Sequence, residues 1–334
     1  MYDMHYDLLT ILYYNFKENN PKANKQKLLS DCEMIYKDNN ILGGIINLYF
    51  MSESEMEEEL GIEKEELSEV VSMFKRSIEL LDLLKYSQVI PENIDFIYSI
   101  EGCDYFKSEE DLEELYDLGL RSILPVWNEK NKFGSGYRSE DGLTELGKRL
   151  ILKAIDLGIM IDVSHANLKT FNDILDIIEE EKNNGKDITV IASHSNVKSL
   201  CDRKRNLSDE QLIRLKNVGG YIGLFTNGNF LSFDNEEIDY KERQQNFLKH
   251  MHYIIQEIGF SEDKVLISSD DMNFNPDPSY HHLESFELSR ISTDLRELLE
   301  KNYPTDFTNK VMIDNAKELV KKVNKKTIKT RKTI

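Results

Sequence analysis

The sequence predicts an α/β fold of the (β/α)8 TIM-barrel type, in which eight parallel strands close on themselves inside a ring of helices. Short apolar runs typical of buried parallel strands recur along the whole 334-residue chain, at intervals of roughly 30 to 50 residues. Each run but the last is followed by a longer segment with helical character or by a loop leading to one. No linker rich in Gly, Ser or Pro divides the chain, which favours one domain over two.

The eight predicted strands set the order of the elements. They cover residues 1–5, 42–50, 94–100, 121–126, 159–163, 189–192, 220–224 and 265–268. A doubly wound open sheet is the alternative, but no G-x-G-x-x-G follows the first run and the chain has no P-loop. We expect residues 1–320 to form the barrel. Residues 321–334, with seven Lys or Arg and no acid, are expected to form a basic tail.

The charge balance restricts the kinds of partner that the protein can bind. Sixty-one acidic residues against 42 Lys and Arg give a formal net charge of −19, which would repel nucleic acid over most of the surface. Much of this charge lies in helix-like segments such as 53–69, where a solvated helix face is the expectation. No stretch approaches 18 consecutive apolar residues, so we expect no membrane-spanning helix and no membrane partner. A divalent metal or a small cationic or zwitterionic substrate is compatible with an acidic protein.

The cysteines and the N-terminal segment predict a reducing compartment. Cys32, Cys103 and Cys201 are few, odd in number and without a C-x-x-C pair, so they indicate neither a disulfide framework nor a thiolate zinc site. The first residues lack the basic region and the long apolar region of a signal peptide. The expected localisation is cytoplasmic.

Polar side chains collect at the carboxyl ends of the predicted strands, where a barrel has its active site. His5 and Asp7 lie two apart, so a strand points both to the same side. The other residues at strand ends are Glu101, His165, His194, Asp270 and Asp271. Imidazole and carboxylate without thiolate is the ligand set of a catalytic zinc-type site, and five or six ligands suit two ions that share a bridging carboxylate.

The remaining histidines are given no metal role. His250 and His252 lie two apart in a helical segment, so they do not face each other and are expected at the surface or in packing. His281 and His282 follow a Pro-containing loop after the eighth run. They are also expected to be structural, with a place at the mouth of the site as the alternative.

Eight stretches, in order, carry a family resemblance across almost the whole chain. The most specific are Ile161-Asp-Val-Ser-His165, Ser193-His-Ser195 and Arg205-Asn206. The others include Asp3-Met-His-Tyr-Asp7, Ile100-Glu-Gly102 and Ser268-Ser-Asp270. Together they resemble the membrane (renal) dipeptidase family, peptidase family M19 of the amidohydrolase superfamily. The resemblance implies a barrel of the metal-dependent hydrolase type.

The resemblance also implies a binuclear zinc site. His5 and Asp7 would hold one Zn2+ ion, His165 and His194 the other, and Glu101 would bridge them. Asp270 would be the catalytic aspartate, beside a metal-bridging hydroxide. It is preferred to Asp271 because it directly follows Ser268-Ser269. Arg205 would pair with the terminal carboxylate of the substrate, a task that suits a planar guanidinium.

One position departs from the family. Many members carry a histidine, thought to contact the substrate carbonyl, in the loop after the fourth strand. Here Trp127 and Asn128 occupy that loop and are taken as substrate-binding residues. An indole can donate one N–H but cannot accept a hydrogen bond or carry charge.

The function implied by the resemblance is zinc-dependent hydrolysis of small dipeptides, including those with a D-residue at the C-terminal position. Trp127 favours an alternative in which the same metal site acts on another small amide, ester or lactone, such as an N-acyl amino acid. A third alternative is a metal-bound barrel that binds a ligand without catalysis. The family tends to dimerise, which leaves a homodimer open.

Overall fold

The strands form one parallel sheet in which each strand pairs with the next in the sequence, from β1 to β8. The computed structural model describes residues 1–17, 23–38, 40–49, 70–232, 239–270, 286 and 290–330. In chain order the strands are β1 Tyr2–Tyr6, β2 Gly43–Tyr49, β3 Asp95–Glu101, β4 Leu120–Leu124, β5 Met160–Asp162, β6 Val190–Ser195, β7 Tyr221–Phe225 and β8 Val265–Ser268. Each predicted run overlaps one of these strands, and the predicted (β/α)8 fold is confirmed.

The sheet is nearly closed by a seam between β1 and the residues that directly follow β8. The backbone N–H of Asp270 donates to the carbonyl of His5 at 3.0 Å. The Asp3 carboxylate accepts from the Ser269 backbone N–H at 2.9 Å and from the Ser269 hydroxyl. Since Asp3 and His5 belong to β1, this seam brings the chain after β8 alongside the first strand.

The helices of the described residues lie outside the sheet or across its lower end. They are α1 Leu8–Phe16, α2 Lys25–Glu33, α3 Val70–Tyr86, α4 Asp111–Asp117, α5 Glu145–Leu157, α6 Leu168–Asn183, α7 Asp209–Asn217, α8 Tyr240–Gln256, α9 Ile291–Asn302, α10 Thr305–Asn309 and α11 Asn315–Thr330. Side-chain caps stabilise the first turn of several helices. At the start of α6, two residues after His165, Asn167 accepts from the N–H of Thr170.

Two apolar layers hold the barrel together. The larger one lies between the strands and the surrounding helices. The smaller one fills the inside of the barrel with residues such as Met4, Ile45 and Ile97, and it continues into Leu319 and Val323 of α11. This helix therefore closes the end of the barrel opposite the catalytic end expected for the fold. The expected domain boundary at residue 320 falls within α11.

A close approach between the first strands requires glycine. A Cβ at Gly44 would lie 1.6 Å from the carbonyl oxygen of Asp3, and its φ is +146°. Only a residue without a side chain lets β2 come this near to β1, the strand that carries His5 and leads directly to Asp7.

Some sequence predictions lie outside the described residues. These are the acidic segment 53–69, the Asp271 alternative and the histidines His281 and His282. Among the helices that the structure describes, none is both long enough and apolar enough to cross a membrane.

Candidate metal centre

The five predicted metal ligands converge at the carboxyl ends of the strands. The ligand atoms of His5, Asp7 and Glu101 lie within 4.8 Å of one another. The same holds for Glu101, His165 and His194. The two groups share Glu101 alone, so these residues form two neighbouring sets of possible ligands with one carboxylate in common.

The Glu101 carboxylate faces one set with each oxygen. Its Oε2 lies 2.8 Å from His5 Nε2. Its Oε1 lies 3.0 Å from His165 Nε2 and 3.7 Å from His194 Nε2. Glu101 ends β3 and is 2% exposed, so its orientation is fixed by the strand and by the surrounding protein.

One hydroxyl organises two of the imidazoles. Ser193 Oγ lies 2.9 Å from His5 Nδ1 and 2.9 Å from His194 Nδ1. If both rings donate N–H to this oxygen, its two lone pairs are used and each Nε2 is left without a proton. The Ser193 hydroxyl hydrogen then points to Ser164 Oγ, 3.5 Å away. Both Nε2 atoms are thereby presented to Glu101 as metal ligands.

The third imidazole, that of His165, is also oriented through its Nδ1 atom, but by Asn128. Asn128 Oδ1 lies 2.9 Å from His165 Nδ1, and Asn128 is 6% exposed. An amide oxygen can only accept, so it fixes the proton on Nδ1 and leaves Nε2 unprotonated. Asn128 was predicted to bind substrate, and the structure places it beneath His165.

Possible ligand atoms are crowded in this centre. His165 Nε2 and His194 Nε2 are 2.9 Å apart, and Asp7 Oδ1 is buried with no hydrogen-bond partner. Zinc bonds of roughly 2.0–2.3 Å bring neighbouring ligand atoms to about 3–4 Å from each other, the range of separations around Glu101. The residues present therefore fit divalent metal ions.

Burial shapes the ionisation of the carboxylates. Desolvation, reinforced by the charge of Glu101, raises the pKa of Asp7 to about 8. Desolvation also raises the pKa of Glu101 to about 8, with Arg205 opposing and Asp162 adding to the shift. Desolvation, with the positive charge of Arg205 and of His5, lowers the pKa of His165 and of His194 well below the ordinary value. His165 and His194 are thus neutral, as ligands must be.

Asp270 stands at the open side of the centre. Its Oδ1 is 3.8 Å from His5 Nε2, and its side chain is 28% exposed. Desolvation raises its pKa well above the ordinary value, and the charges of Asp7 and Glu101 act in the same direction. Asp270 has φ +50° and His165 has φ +67°, a backbone region that costs a non-glycine residue energy. Both positions at this site are therefore held by their surroundings.

Arg205 is buried beside the histidines. Its guanidinium donates to the carbonyl of His194 at 2.8 Å and to Ser195 Oγ at 3.2 Å. Both partners belong to β6, so Arg205 is fixed to that strand although it lies ten residues beyond it. These bonds use two of its five N–H donors. Its charge interacts with Glu101 and Asp270, which places it at the same centre.

Trp127 lies at the rim and packs on an aromatic residue that the sequence analysis did not single out. Its ring centroid is 4.7 Å from that of Tyr49 and 6.0 Å from that of His165. Trp127 and Tyr49 are both half-buried. Tyr49 ends β2 and is in register with Glu101 of β3.

Three further polar residues at the centre were missed. Asp162 Oδ1 accepts the backbone N–H of Ser164 and of Ser193, and its Oδ2 is buried without a partner. Asp3 fastens the seam near His5, and Ser193 orients two histidines. The signal for Asp162 was present: a charged residue inside an apolar strand needs an explanation.

The other described histidines have no part in the centre. His250 is buried in α8, where Nδ1 accepts from the N–H of Val197 and Nε2 lies 3.1 Å from the carbonyl of Leu231. It is a packing residue, as expected, whereas His252 is exposed.

A (β/α)8 barrel with buried histidines and carboxylates at the carboxyl ends of its strands is the architecture of metal-dependent hydrolases. A comparison with known protein families identifies the family. The model of the membrane dipeptidase family, peptidase family M19, matches residues 1–333, and the chain belongs to that family. The predicted family is confirmed.

Curated relatives match over part of the chain. An uncharacterised protein from Klebsiella pneumoniae is 36% identical over 180 residues, which are 51% of this chain and 62% of that protein. A dipeptidase from Claviceps purpurea is 25% identical over 217 residues, which are 64% of this chain and 47% of that protein. The matched region thus spans less than two-thirds of either relative.

The fold has solved counterparts. A metallo peptidase from Rhodobacter sphaeroides, liganded with a phosphinate mimic of the dipeptide L-Ala-D-Ala, is 22% identical and superposes with a TM-score of 0.67. The alignment covers 96% of this chain and 98% of that one. At a sequence identity of 22%, this similarity supports the fold alone.

Proposed function

We propose that this chain is a zinc-dependent dipeptidase that hydrolyses the amide bond of small dipeptides. The observation that carries the proposal is the position of Glu101, whose two oxygens face His5 on one side and His165 and His194 on the other. A carboxylate between two sets of imidazoles is suited to bridge two metal ions. Family membership supports the same reaction class.

The proposed ligand sets follow the two groups. His5 and Asp7 hold one ion, His165 and His194 hold the other, and Glu101 belongs to both. When bound, such a pair of ions supplies an acidified water near neutral pH and positive charge beside the scissile carbonyl. Zinc is the proposed metal because the donors are imidazole and carboxylate without thiolate.

Asp270 is the proposed general base and then acid. It lies 3.8 Å from a ligand nitrogen of His5, and its partly exposed side chain can reach the substrate. Its raised pKa favours taking a proton from water and returning it to the leaving amine. The left-handed backbone at Asp270, tied to His5 by a hydrogen bond, keeps the carboxylate at this place.

Arg205 is the proposed anchor for the terminal carboxylate. Its guanidinium is held by β6, so the N–H groups not bonded to that strand can bind a carboxylate without a search for the right rotamer. Anchoring one end sets the distance from the carboxylate to the scissile bond and thereby favours dipeptides. A D-residue at the C-terminal position is part of the proposal, supported by the mimic bound to the Rhodobacter sphaeroides protein.

The experiment is a panel of dipeptides with L- and D-residues at the second position, assayed on the full chain with zinc supplied. The proposal expects turnover of dipeptides, much weaker turnover of the matching dipeptide amides and none of longer peptides. If none of the dipeptides is hydrolysed, the proposed dipeptidase function is wrong.

A second candidate keeps the metal centre and changes the substrate to another small amide, ester or lactone, such as an N-acyl amino acid. The observation that favours it is Trp127, which puts an apolar ring where many family members have a histidine. Turnover of N-acyl amino acids by a sample that leaves dipeptides intact would decide for this candidate.

The proposed compartment is the cytoplasm. Cys32, Cys103 and Cys201 are all free and buried, which suits a reducing environment. Fractionation of cells that express the chain at its natural level, followed by detection with an antibody, tests the compartment.

A further inference from the structure

An aromatic pair lines one side of the metal centre. The Tyr49 and Trp127 rings meet edge to face, with centroids 4.7 Å apart and an interplanar angle of 60°. Trp127 lies 6.0 Å from the His165 ring, so the pair borders the metal ligands. Both residues are half-buried, and part of their surface remains exposed at the rim.

The order of the strands places the aromatic pair opposite Arg205 across the barrel. In a ring of eight strands, β2 stands opposite β6. Tyr49 ends β2, and Arg205 is bonded to His194 and Ser195 of β6. A substrate whose carboxylate is bound by Arg205, and whose scissile bond lies over the centre, therefore extends its other end towards the aromatic pair.

The loop that carries Trp127 is firmly placed. A Cβ at Gly136 would lie 1.7 Å from the Trp127 carbonyl oxygen, so the two backbone segments are in close contact. The backbone N–H of Arg138 donates to the Asn128 carbonyl at 3.0 Å, and Asn128 is itself bonded to His165. The indole is thus presented by a prearranged loop, which lowers the entropy lost on packing against a ligand.

The ring faces of the pair are apolar, and Tyr49 adds one hydroxyl at its tip. An indole offers one N–H and a broad π face, and it neither accepts hydrogen bonds nor carries charge. A small or charged group placed there would gain little contact or would lose its hydration. A large apolar side chain would gain contact with both rings.

We propose that Tyr49 and Trp127 form an aromatic wall that selects substrates whose first residue, on the acyl side of the scissile bond, has a large apolar or aromatic side chain. This inference rests on the proposed dipeptidase function and names its substrate class. Specificity then depends on the first residue, while Arg205 recognises the carboxylate of the second.

The activity test uses dipeptides that differ only at the first residue. Phe-Ala, Leu-Ala, Gly-Ala and Asp-Ala are assayed with the zinc-loaded full chain, in the L- or the D-alanine form that is turned over. The wall predicts a kcat/KM for Phe-Ala at least about tenfold above that for Gly-Ala, since even single methylene groups in an apolar pocket discriminate by about 10- to 200-fold. Equal values for Phe-Ala and Gly-Ala would overturn it.

Variants assign the preference to the wall. Trp127→Ala should bring the Phe-Ala to Gly-Ala ratio close to one, mainly through a loss on Phe-Ala, whereas Trp127→Phe should keep most of it. The matched control is Tyr86→Ala, which removes an aromatic residue that is 84% exposed on α3 and should change nothing. A Trp127→Ala variant that keeps the wild-type ratio contradicts the wall.

A binding test stands apart from turnover. Trp127 is the single tryptophan of the chain, so its fluorescence reports on this side of the centre alone. In zinc-loaded Asp270→Asn protein, Phe-Ala should change the fluorescence at a concentration at least about tenfold lower than Gly-Ala. If the wild type hydrolyses no dipeptide, the proposed function is wrong, but this titration still tests the aromatic wall. If Phe-Ala and Gly-Ala change the fluorescence at equal concentrations, the aromatic wall is also wrong.

Discussion

His165 Nε2 and His194 Nε2 lie 2.9 Å apart, and both rings are buried. Asn128 Oδ1 lies 2.9 Å from Nδ1 of the first ring, and Ser193 Oγ lies 2.9 Å from Nδ1 of the second. When both Nδ1 atoms carry the proton, two lone pairs face each other beside Glu101 Oε1, an arrangement that is unfavourable until a cation lies between them. This relationship supports the proposal that the two nitrogens are metal ligands.

Ser193→Ala is expected to weaken metal binding by about 10- to 100-fold, because outer residues that orient ligands have effects of this size. The variant removes the oxygen shared by His5 and His194 and leaves both tautomers free to change. Zinc affinity is measured by competition with a chromophoric chelator. Ser199→Ala, at an exposed serine, is the control. An affinity equal to that of the wild type would remove Ser193 from this role.

Glu101→Gln should lower the metal content from two ions per chain to one or none. The amide keeps the shape of the side chain but replaces one oxygen ligand by an NH2 group, which cannot coordinate. Metal analysis after gel filtration gives the number of ions bound. Two tightly bound ions in the variant would show that Glu101 is no bridge.

Stability without metal should fall between pH 7 and about 8. The folded protein keeps protons on Asp7 and Glu101, whose pKa burial raises to about 8 from ordinary values of 3.8 and 4.5, whereas the unfolded chain has already released them. Rising pH therefore favours the unfolded chain in this window. Urea unfolding in the presence of a chelator, followed at several pH values, measures the effect.

Two histidines make a contribution of opposite sign below pH 6.5. His165 and His194 are held neutral when folded, since their pKa is lowered well below the ordinary 6.5, and they gain protons on unfolding as the pH falls. Below pH 6.5 this gain in stability with rising pH opposes the loss caused by Asp7 and Glu101, so the metal-free protein should lose stability most steeply above pH 6.5, where only the carboxylates still titrate. Saturating zinc should abolish the loss towards pH 8, and a stability that rises from pH 7 to 8 without metal would contradict the assigned shifts.

Asp270→Asn should lower kcat by about 10²- to 10⁴-fold, the contribution of a general base or acid. The metal content should stay unchanged, because the Asp270 carboxylate lies 3.8 Å from His5 Nε2 and belongs to neither ligand set. Steady-state kinetics and metal analysis on the same preparation separate the two effects. Full activity of the variant would exclude Asp270 as the proton-transfer group.

Arg205→Lys should raise KM for dipeptides by about 10- to 100-fold, the equivalent of a lost charge-assisted hydrogen bond. Dipeptides whose carboxylate is blocked as an amide are expected to be poor substrates of the wild type and no worse for the variant. Kinetics with the free and the blocked form of one dipeptide measure the difference. A loss of equal size with both forms would indicate that Arg205 only supports His194 and Ser195.

The strands were predictable because a parallel barrel strand buries both faces and therefore appears as a continuous apolar run. β8 matches its predicted bounds, whereas β6 continues to Ser195, beyond the predicted end at residue 192. Its polar last residues conceal the strand from a search for apolar runs. Its length matters, because it places His194 in the sheet.

Contacts between strands were harder to foresee. The Ser193 contact with His5 joins residues 188 positions apart, and the Asp3 contact with Ser269 joins residues 266 apart. Spacing along the chain carries no information about such pairs until the barrel is closed. The packing of Trp127 on Tyr49 is hidden for the same reason.

The most direct test of the account is a paired measurement on one sample of the full chain: zinc content and dipeptide turnover, before and after chelation and after zinc is restored. The account predicts two zinc ions per chain, turnover that disappears with them and turnover that returns with them. A chain that hydrolyses dipeptides equally well after both ions are removed, or that holds two ions and hydrolyses no dipeptide, would contradict it.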